Sequence, residues 1–142
     1  MKNVRIIQEL HRIAKENNGL LSAEAVVEVA SNPKSILHSR FEWDDDDAAH
    51  EYRLWQARQL ISVAVEVLPG TNQSVQTFVS LSTDRKGGKG YRTTVSVMSD
   101  ADMRAQLLND ALHDLNTFQR KYSELRQLSE VFSAIRKVRK SA

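Results

Sequence analysis

The chain has no cysteine, only two prolines and five glycines among its 142 residues, and no long hydrophobic run. The lack of cysteine excludes disulfides, thiol catalysis and cysteine-based zinc sites. No stretch approaches 18 apolar residues, and no apolar core follows residues 1–5, so nothing indicates export or a membrane span. The lack of low-complexity sequence also excludes disordered and fibrous proteins. We therefore expect a cytoplasmic protein.

The length fits one compact domain, or a small domain with an arm for oligomerisation. The formal charge of +2 conceals a strongly uneven distribution. Residues 41–60 carry six acidic and two basic groups, residues 84–98 carry four basic and one acidic group, and residues 119–142 carry seven basic and two acidic groups. Such blocks either steer charged partners or solvate exposed faces. The charge pattern alone does not choose between these roles.

The first 61 residues have the periodicity of helices. The spacing of apolar residues and the cap signals predict four helices, over residues 3–17, 23–30, 33–41 and 48–61. Ser22 suits the start of the second helix, and Pro33 suits the first turn of the third. The aspartates of residues 44–47 suit the start of the fourth. The second and third helices have the outline of a helix-turn-helix, so residues 1–61 are predicted to be a helical, helix-turn-helix-like region.

The period then changes from 3.6 to 2, which is typical of strands. Three β-rich runs predict strands over residues 63–68, 75–81 and 91–97. Glycines at 87, 88 and 90 can adopt positive φ in a hairpin loop between the last two runs. Residues 62–98 are therefore predicted to form a three-stranded antiparallel sheet with a basic hairpin.

A long helix is predicted from residue 99 or 100 to about Val138, and it would span roughly 60 Å at 1.5 Å per residue. Apolar residues follow heptad spacing along it, and the register shifts near Ser129. The candidate partner-binding residues on this stripe are Leu115, Phe118, Tyr122, Leu125 and Phe132. Because aromatic side chains are bulky for a two-stranded seam, residues 99–142 are predicted to oligomerise in a bundle or an embracing dimer. The alternative is that this half folds back on the N-terminal helices.

The expected fold class is therefore α+β, mainly α.

Motifs for catalysis are lacking. Residues 50–54 (HEYRL) lack the second histidine of the HExxH zinc motif, and the sequence contains neither GxxxxGK[ST] nor GxGxxG. The acidic run 42–47 lacks the spacing of a calcium loop, so helix capping is the preferred interpretation and a metal site the alternative. We expect no enzyme activity, no metal and no cofactor.

Two arrangements fit binding to DNA. Lys34, Ser35, His38 and Arg40 would lie outward on the third predicted helix, and such side chains reach phosphates and base edges. The basic hairpin resembles the wing of winged-helix domains and would lie on phosphates without reading sequence. Its candidate residues are Arg85, Lys86, Lys89 and Arg92. Solvation of an exposed loop is the alternative for the hairpin, and the basic C-terminal end would add nonspecific attraction.

A family resemblance covers most of residues 20–135. Residues 37–45 (LHSRFEWDD), the pairs Ala48-Ala49 and Tyr52-Arg53, and residues 56–61 (QARQLI) resemble small uncharacterised proteins of tailed bacteriophages and prophages. The resemblance brings no activity with it. It implies a phage protein that acts on DNA, on a host factor or in assembly, within the cytoplasm of an infected bacterium.

The sequence thus predicts an oligomeric, phage-type DNA-binding protein with a regulatory role or an accessory role in DNA packaging or processing. The rival is a protein-interaction module, such as an inhibitor of a host factor or an assembly factor, with a host or phage protein as its partner. Its contact surface would include Phe41, Trp43 and the neighbouring aspartates. Neither interpretation involves a membrane.

Overall fold

Helices dominate the computed structural model, which describes residues 2–44, 47–68 and 70–141. The described α-helices are α1 (Lys2–Glu16), α2 (Ala23–Ala30), α3 (Asp47–Ser62), α4 (Ser82–Lys86), α5 (Thr94–Ser99), α6 (Ala101–Tyr122) and α7 (Ser129–Ser141). The described strands are β1 (Leu20–Leu21), β2 (Val65–Val67), β3 (Ser74–Gln76), β4 (Phe78–Val79) and β5 (Tyr91–Thr93). The mainly α, α+β fold class with a three-stranded antiparallel sheet and a helical C-terminus is confirmed.

Three of the predicted N-terminal helices are present, as α1, α2 and α3. Helix α1 buries Leu10, Ile13 and Ala14, which share one face. It ends where Asn18 and Gly19 adopt positive φ, a conformation that stops a helix. Helix α2 begins where the Ser22 hydroxyl accepts a hydrogen bond from the amide of Ala25 at 3.1 Å.

The predicted third helix, over residues 33–41, is wrong. Residues 31–37 form turns, followed by a single 3₁₀ turn at His38–Arg40. Polar side chains hold this segment, because the Asn32 carboxamide accepts from the amide of Lys34 at 2.9 Å and the Ser35 hydroxyl accepts from that of Leu37 at 3.2 Å. Such local bonds compete with helix formation. The second helix of the expected helix-turn-helix outline is therefore not formed by these residues.

The three-stranded sheet has a different membership from the predicted one. Its order is β1-β5-β4, so one edge strand comes from the N-terminal region rather than from residues 62–98. The predicted strand 63–68 is represented by β2, which pairs with β3 in a separate two-stranded hairpin. Gly90 allows β1 to lie beside β5, because a Cβ at this position would collide with the backbone of Leu21 and Ser22.

The predicted strand over residues 91–97 is also shorter than expected. It ends at Thr93, whose hydroxyl accepts from the amide of Ser96 at 3.2 Å and caps α5. The hairpin loop before β5 contains α4, so it is a partly helical loop rather than a simple turn. Pro69, which directly follows the predicted strand over residues 63–68, lies outside the described residues.

The single C-terminal helix predicted over residues 99–138 is interrupted. Helix α6 ends at Tyr122, Leu125 is extended, and α7 begins at Ser129. Phe132 and Ile135 of α7 are buried, and the Phe132 ring lies 6.3 Å from that of Phe118 on α6. The break lets α7 bury its own apolar face within the chain instead of extending into solvent.

The main hydrophobic core joins α1, α2, α3, β1 and β4. Its fully buried members include Leu10, Ile13, Leu21 and Val26, and Phe78 adds an aromatic ring from the sheet. The N-terminal helices and the sheet therefore share one core across the boundary at residue 61. In contrast, α6 has no buried residue along its 22 residues.

Candidate nucleic-acid interface

The loop between β4 and β5 presents two free basic side chains. Lys86 and Lys89 are exposed, whereas Arg85 donates to the Ser80 carbonyl at 2.7 Å. Gly88 and Gly90 have φ of 66° and 99°, which allows the sharp return of the chain into β5. The basic tip predicted from the sequence is thus present, with its charge concentrated on two lysines.

Helix α4 ties this loop to α6. The amide of Ser82 donates to the Asp110 carboxylate at 2.9 Å, and the Thr83 hydroxyl donates to the Gln106 side chain at 2.8 Å. Burial opposes ionisation of Asp110, but the bonds from Ser82 and the nearby Arg85 outweigh it and lower the pKa of Asp110. The loop is therefore held in place by a charged group on another helix.

Arg92, predicted to contact phosphates, is used within the fold. Its guanidinium donates to both oxygens of the buried Asp84 carboxylate, at 2.6 and 3.0 Å. The hydrogen bond that Arg92 donates to Asp84 raises the pKa of Arg92. Because this bidentate pair satisfies the carboxylate, removal of Arg92 would leave a buried charge without a partner. Asp84, the one acid in the basic segment 84–98, was the sequence signal for this pair.

The four candidate residues of the predicted third helix differ in exposure and in their contacts within the chain. Lys34 and Arg40 are exposed, but Ser35 is half-buried. The Nδ1 atom of His38 lies 2.8 Å from the Ala30 carbonyl oxygen, and its ring stacks on Trp43 at 4.9 Å. Arg40 lines a groove with Arg5 and Ser39, apart from the groove that Arg85 lines with Asp110 and Arg139. Arg40 and Arg85, one residue from each set of candidates, thus line different grooves.

Phe41 and Trp43, predicted to contact a protein partner, pack inside this chain. Phe41 belongs to the core, and the Trp43 indole donates to the His38 carbonyl at 2.8 Å. The Arg53 guanidinium lies 5.3 Å from the Trp43 ring and donates to the carbonyls of Glu42 and Asp44. These contacts anchor the segment before α3. Asp45 and Asp46 of the acidic run lie outside the described residues.

The exposed face of α3 carries an aromatic pair that the sequence interpretation did not select. Tyr52 and Trp55 are 47% and 51% exposed, and their rings stack at 5.7 Å. Gln59 is exposed one turn further along the same face. The signal was available, since Leu54, Ala57 and Ile61 form the buried face and place these side chains opposite.

Some of the predicted C-terminal contact residues pack within the chain, and others are exposed. Phe132 is buried, and the Phe118 ring lies 4.9 Å from that of Tyr122. Leu115 and Leu125 remain exposed. Part of the stripe thus closes the α6–α7 turn, while the rest faces outward.

Comparison of the chain with protein-family models, with curated proteins and with solved structures found no match. Among the described residues, no helix has the length and apolar character needed to cross a membrane.

Proposed function

We propose that the protein binds double-stranded DNA through the β4–β5 loop and the exposed face of α3. The observation that carries this proposal is the order helix, strand, helix, helix, strand, loop, strand, with the first strand beside the last. This is the order of winged-helix domains, with three departures: the β2–β3 hairpin precedes β4, a long turn separates α2 from α3, and helix α4 lies within the β4–β5 loop. In such domains the helix before the hairpin enters the major groove and the hairpin loop lies on the backbone.

In this proposal α3, rather than the predicted helix over residues 33–41, enters the major groove. Gln59 can make two hydrogen bonds to adenine, and the neighbouring Arg58 can contact guanine or a phosphate. Both side chains are exposed. The aromatic rings of Tyr52 and Trp55 supply apolar contact, as to the methyl group of thymine. The acidic residues at the start of α3 favour docking by its C-terminal half.

Lys86 and Lys89 supply the electrostatic contacts with phosphates. Phosphate contacts release condensed counterions and provide most of the affinity that is independent of sequence. Because α4 is bonded to α6, the loop is held in place before it meets DNA, which lowers the entropic cost of binding. Arg92 contributes through the fold of the loop. The resemblance to phage proteins favours a regulatory or packaging accessory role, without catalysis, metal or cofactor.

The first experiment measures binding to a labelled 30-base-pair duplex by fluorescence anisotropy. We expect the variant Lys86→Gln/Lys89→Gln to bind about tenfold more weakly than the wild type, on the basis of two lost phosphate contacts. The matched control is Arg5→Gln/Lys15→Gln, which removes the same charge from exposed positions of α1. Equal losses in both variants would reduce the effect to net charge and overturn the proposal.

A second candidate function is binding of a protein partner, and the exposed Tyr52–Trp55 pair favours it. Exposed aromatic side chains are common anchors of protein interfaces. Here the contact surface would be α3 rather than Phe41 and Trp43. The variant Tyr52→Ser/Trp55→Ser distinguishes the two functions. Weakened DNA binding places the pair in the DNA interface, whereas unchanged affinity favours the protein-binding function.

A further inference from the structure

Helix α6 exposes an apolar face, which also carries the exposed Arg104, whose guanidinium donates to the Met98 carbonyl at 2.9 Å. Leu108 is 45% exposed and Phe118 is 37% exposed, and Leu115 lies between them on the same side. The contacts of α6 with α4 use the polar side chains of Gln106 and Asp110 on its opposite face. The exposed side chains of the face are Ala101, Ala105, Leu108, Ala111, Leu115 and Phe118. This face is available for a partner along most of the helix.

Side-chain size differs between the two ends of this face. Its N-terminal end carries Ala101 and Ala105, and its C-terminal end carries Phe118 and Tyr122. A second α6 in antiparallel orientation, with a two-fold axis between Ala111 and Leu112, places each small residue opposite a large one. Ala105 then faces Phe118 of the second copy, and Leu108 faces its Leu115. Interdigitation of small and large side chains fills a helical interface well.

Charge also differs between the two ends of α6. The N-terminal end carries the capping Asp100 and Asp102 against the single Arg104, whereas Arg120 and Lys121 lie near the C-terminal end. The antiparallel arrangement brings the acidic part of each helix alongside the basic end of the other. A parallel pair would place acidic beside acidic, and Phe118 against Phe118. Size and charge thus select the same orientation independently.

We propose that a second copy of this chain docks antiparallel along α6, with the two-fold axis between Ala111 and Leu112. The interface is isologous, because Ala105 of each copy meets Phe118 of the other and both copies use the same patch. The proposal does not depend on DNA binding. Where both hold, the dimer carries two loops related by the two-fold axis and binds two half-sites of opposite orientation.

The first test is the mass of the protein in solution by light scattering after size exclusion. We expect twice the chain mass of 16.1 kDa for the wild type and the single-chain mass for Leu108→Glu. Val131→Glu is the matched control, since Val131 is also 45% exposed but lies on α7. We expect this variant to remain dimeric. Circular dichroism checks that all three remain folded. A monomeric wild type overturns the proposal.

The second test fixes the orientation and uses the absence of native cysteine. We prepare Ala105→Cys and Phe118→Cys separately, mix them in equal amounts, allow the subunits to exchange and oxidise them. The antiparallel dimer forms a disulfide only in the mixture, because identical positions lie about 20 Å apart along the helix axis. A disulfide in either variant alone overturns the antiparallel orientation. Lys86→Gln/Lys89→Gln remains dimeric, which separates this test from that of DNA binding.

Discussion

Apolar residues serve opposite purposes in the N-terminal helices with the sheet and in helix α6. Helices α1, α2 and α3 bury Leu10, Val26 and Ile61 in one core that includes strands from two parts of the chain. Helix α6 has no buried residue among its 22, although it also carries a periodic stripe of apolar side chains. Periodicity therefore indicates that a face needs a partner, and the fold decides whether that partner lies within the chain.

Removal of a core side chain should cause the largest loss in the free energy of unfolding. Leu10 is fully buried, so Leu10→Ala should lower the free energy of unfolding by about 4 kcal/mol through lost burial and a residual cavity. Leu108→Ala on α6 should change the stability of the monomer by about 0.5 kcal/mol or less. Urea denaturation at low protein concentration measures both. Similar losses would contradict the division into a core and an uncovered helix.

The pairing of β1 with β5 can be tested at Gly90. Gly90→Ala should destabilise the protein by about 3 kcal/mol, because the new Cβ meets the backbone of Leu21 while φ stays positive. Gly88 is the matched control, with positive φ but open space around it. Gly88→Ala should cost only about 1 kcal/mol, the conformational penalty alone. Thermal unfolding compares them, and equal shifts would argue against the position of β1 in the sheet.

The smallest expected effect concerns the bond between α6 and the basic loop. Asp110→Asn should lower the free energy of unfolding by about 1 kcal/mol at pH 7, since a charged acceptor for the Ser82 amide is lost. Because folding lowers the pKa of Asp110, its stabilisation is present above the unfolded value of about 4 and disappears as the pH falls through the folded value. Urea denaturation at pH 7 and pH 3 measures the difference between wild type and variant. A difference that grows at pH 3 would contradict this role.

The helices around the core were predictable because their apolar spacing coincides with the faces that they bury. The third helix was not, since Asn32 and Ser35 bond locally and replace it with turns. A two-residue strand such as β1 has no period of its own and depends on β5, some 70 positions further along the chain. The shift in register near Ser129 was interpreted as a change within one long helix, whereas α6 ends at Tyr122 and α7 begins at Ser129.

Within the candidate site, the sequence predicted the exposed basic residues of the β4–β5 loop but not the residues with contacts inside the chain. Lys86 and Lys89 are exposed in a loop, as the basic segment predicted. Arg92, His38 and Trp43 have partners that are distant in sequence or on other turns, so their residue types did not reveal their roles. The exposure of Tyr52 and Trp55 on α3 could be predicted from the position of the buried face of the helix, and no motif indicates it.

In the proposed interface, a loop fixed by the fold holds the DNA backbone through its two exposed lysines, Lys86 and Lys89. The most direct test is the dependence of the dissociation constant for duplex DNA on salt concentration, measured by anisotropy for the wild type and Lys86→Gln/Lys89→Gln. We expect the variant to reduce the slope of log Kd against log salt by about 2, one unit for each lost phosphate contact. Identical slopes would contradict the account.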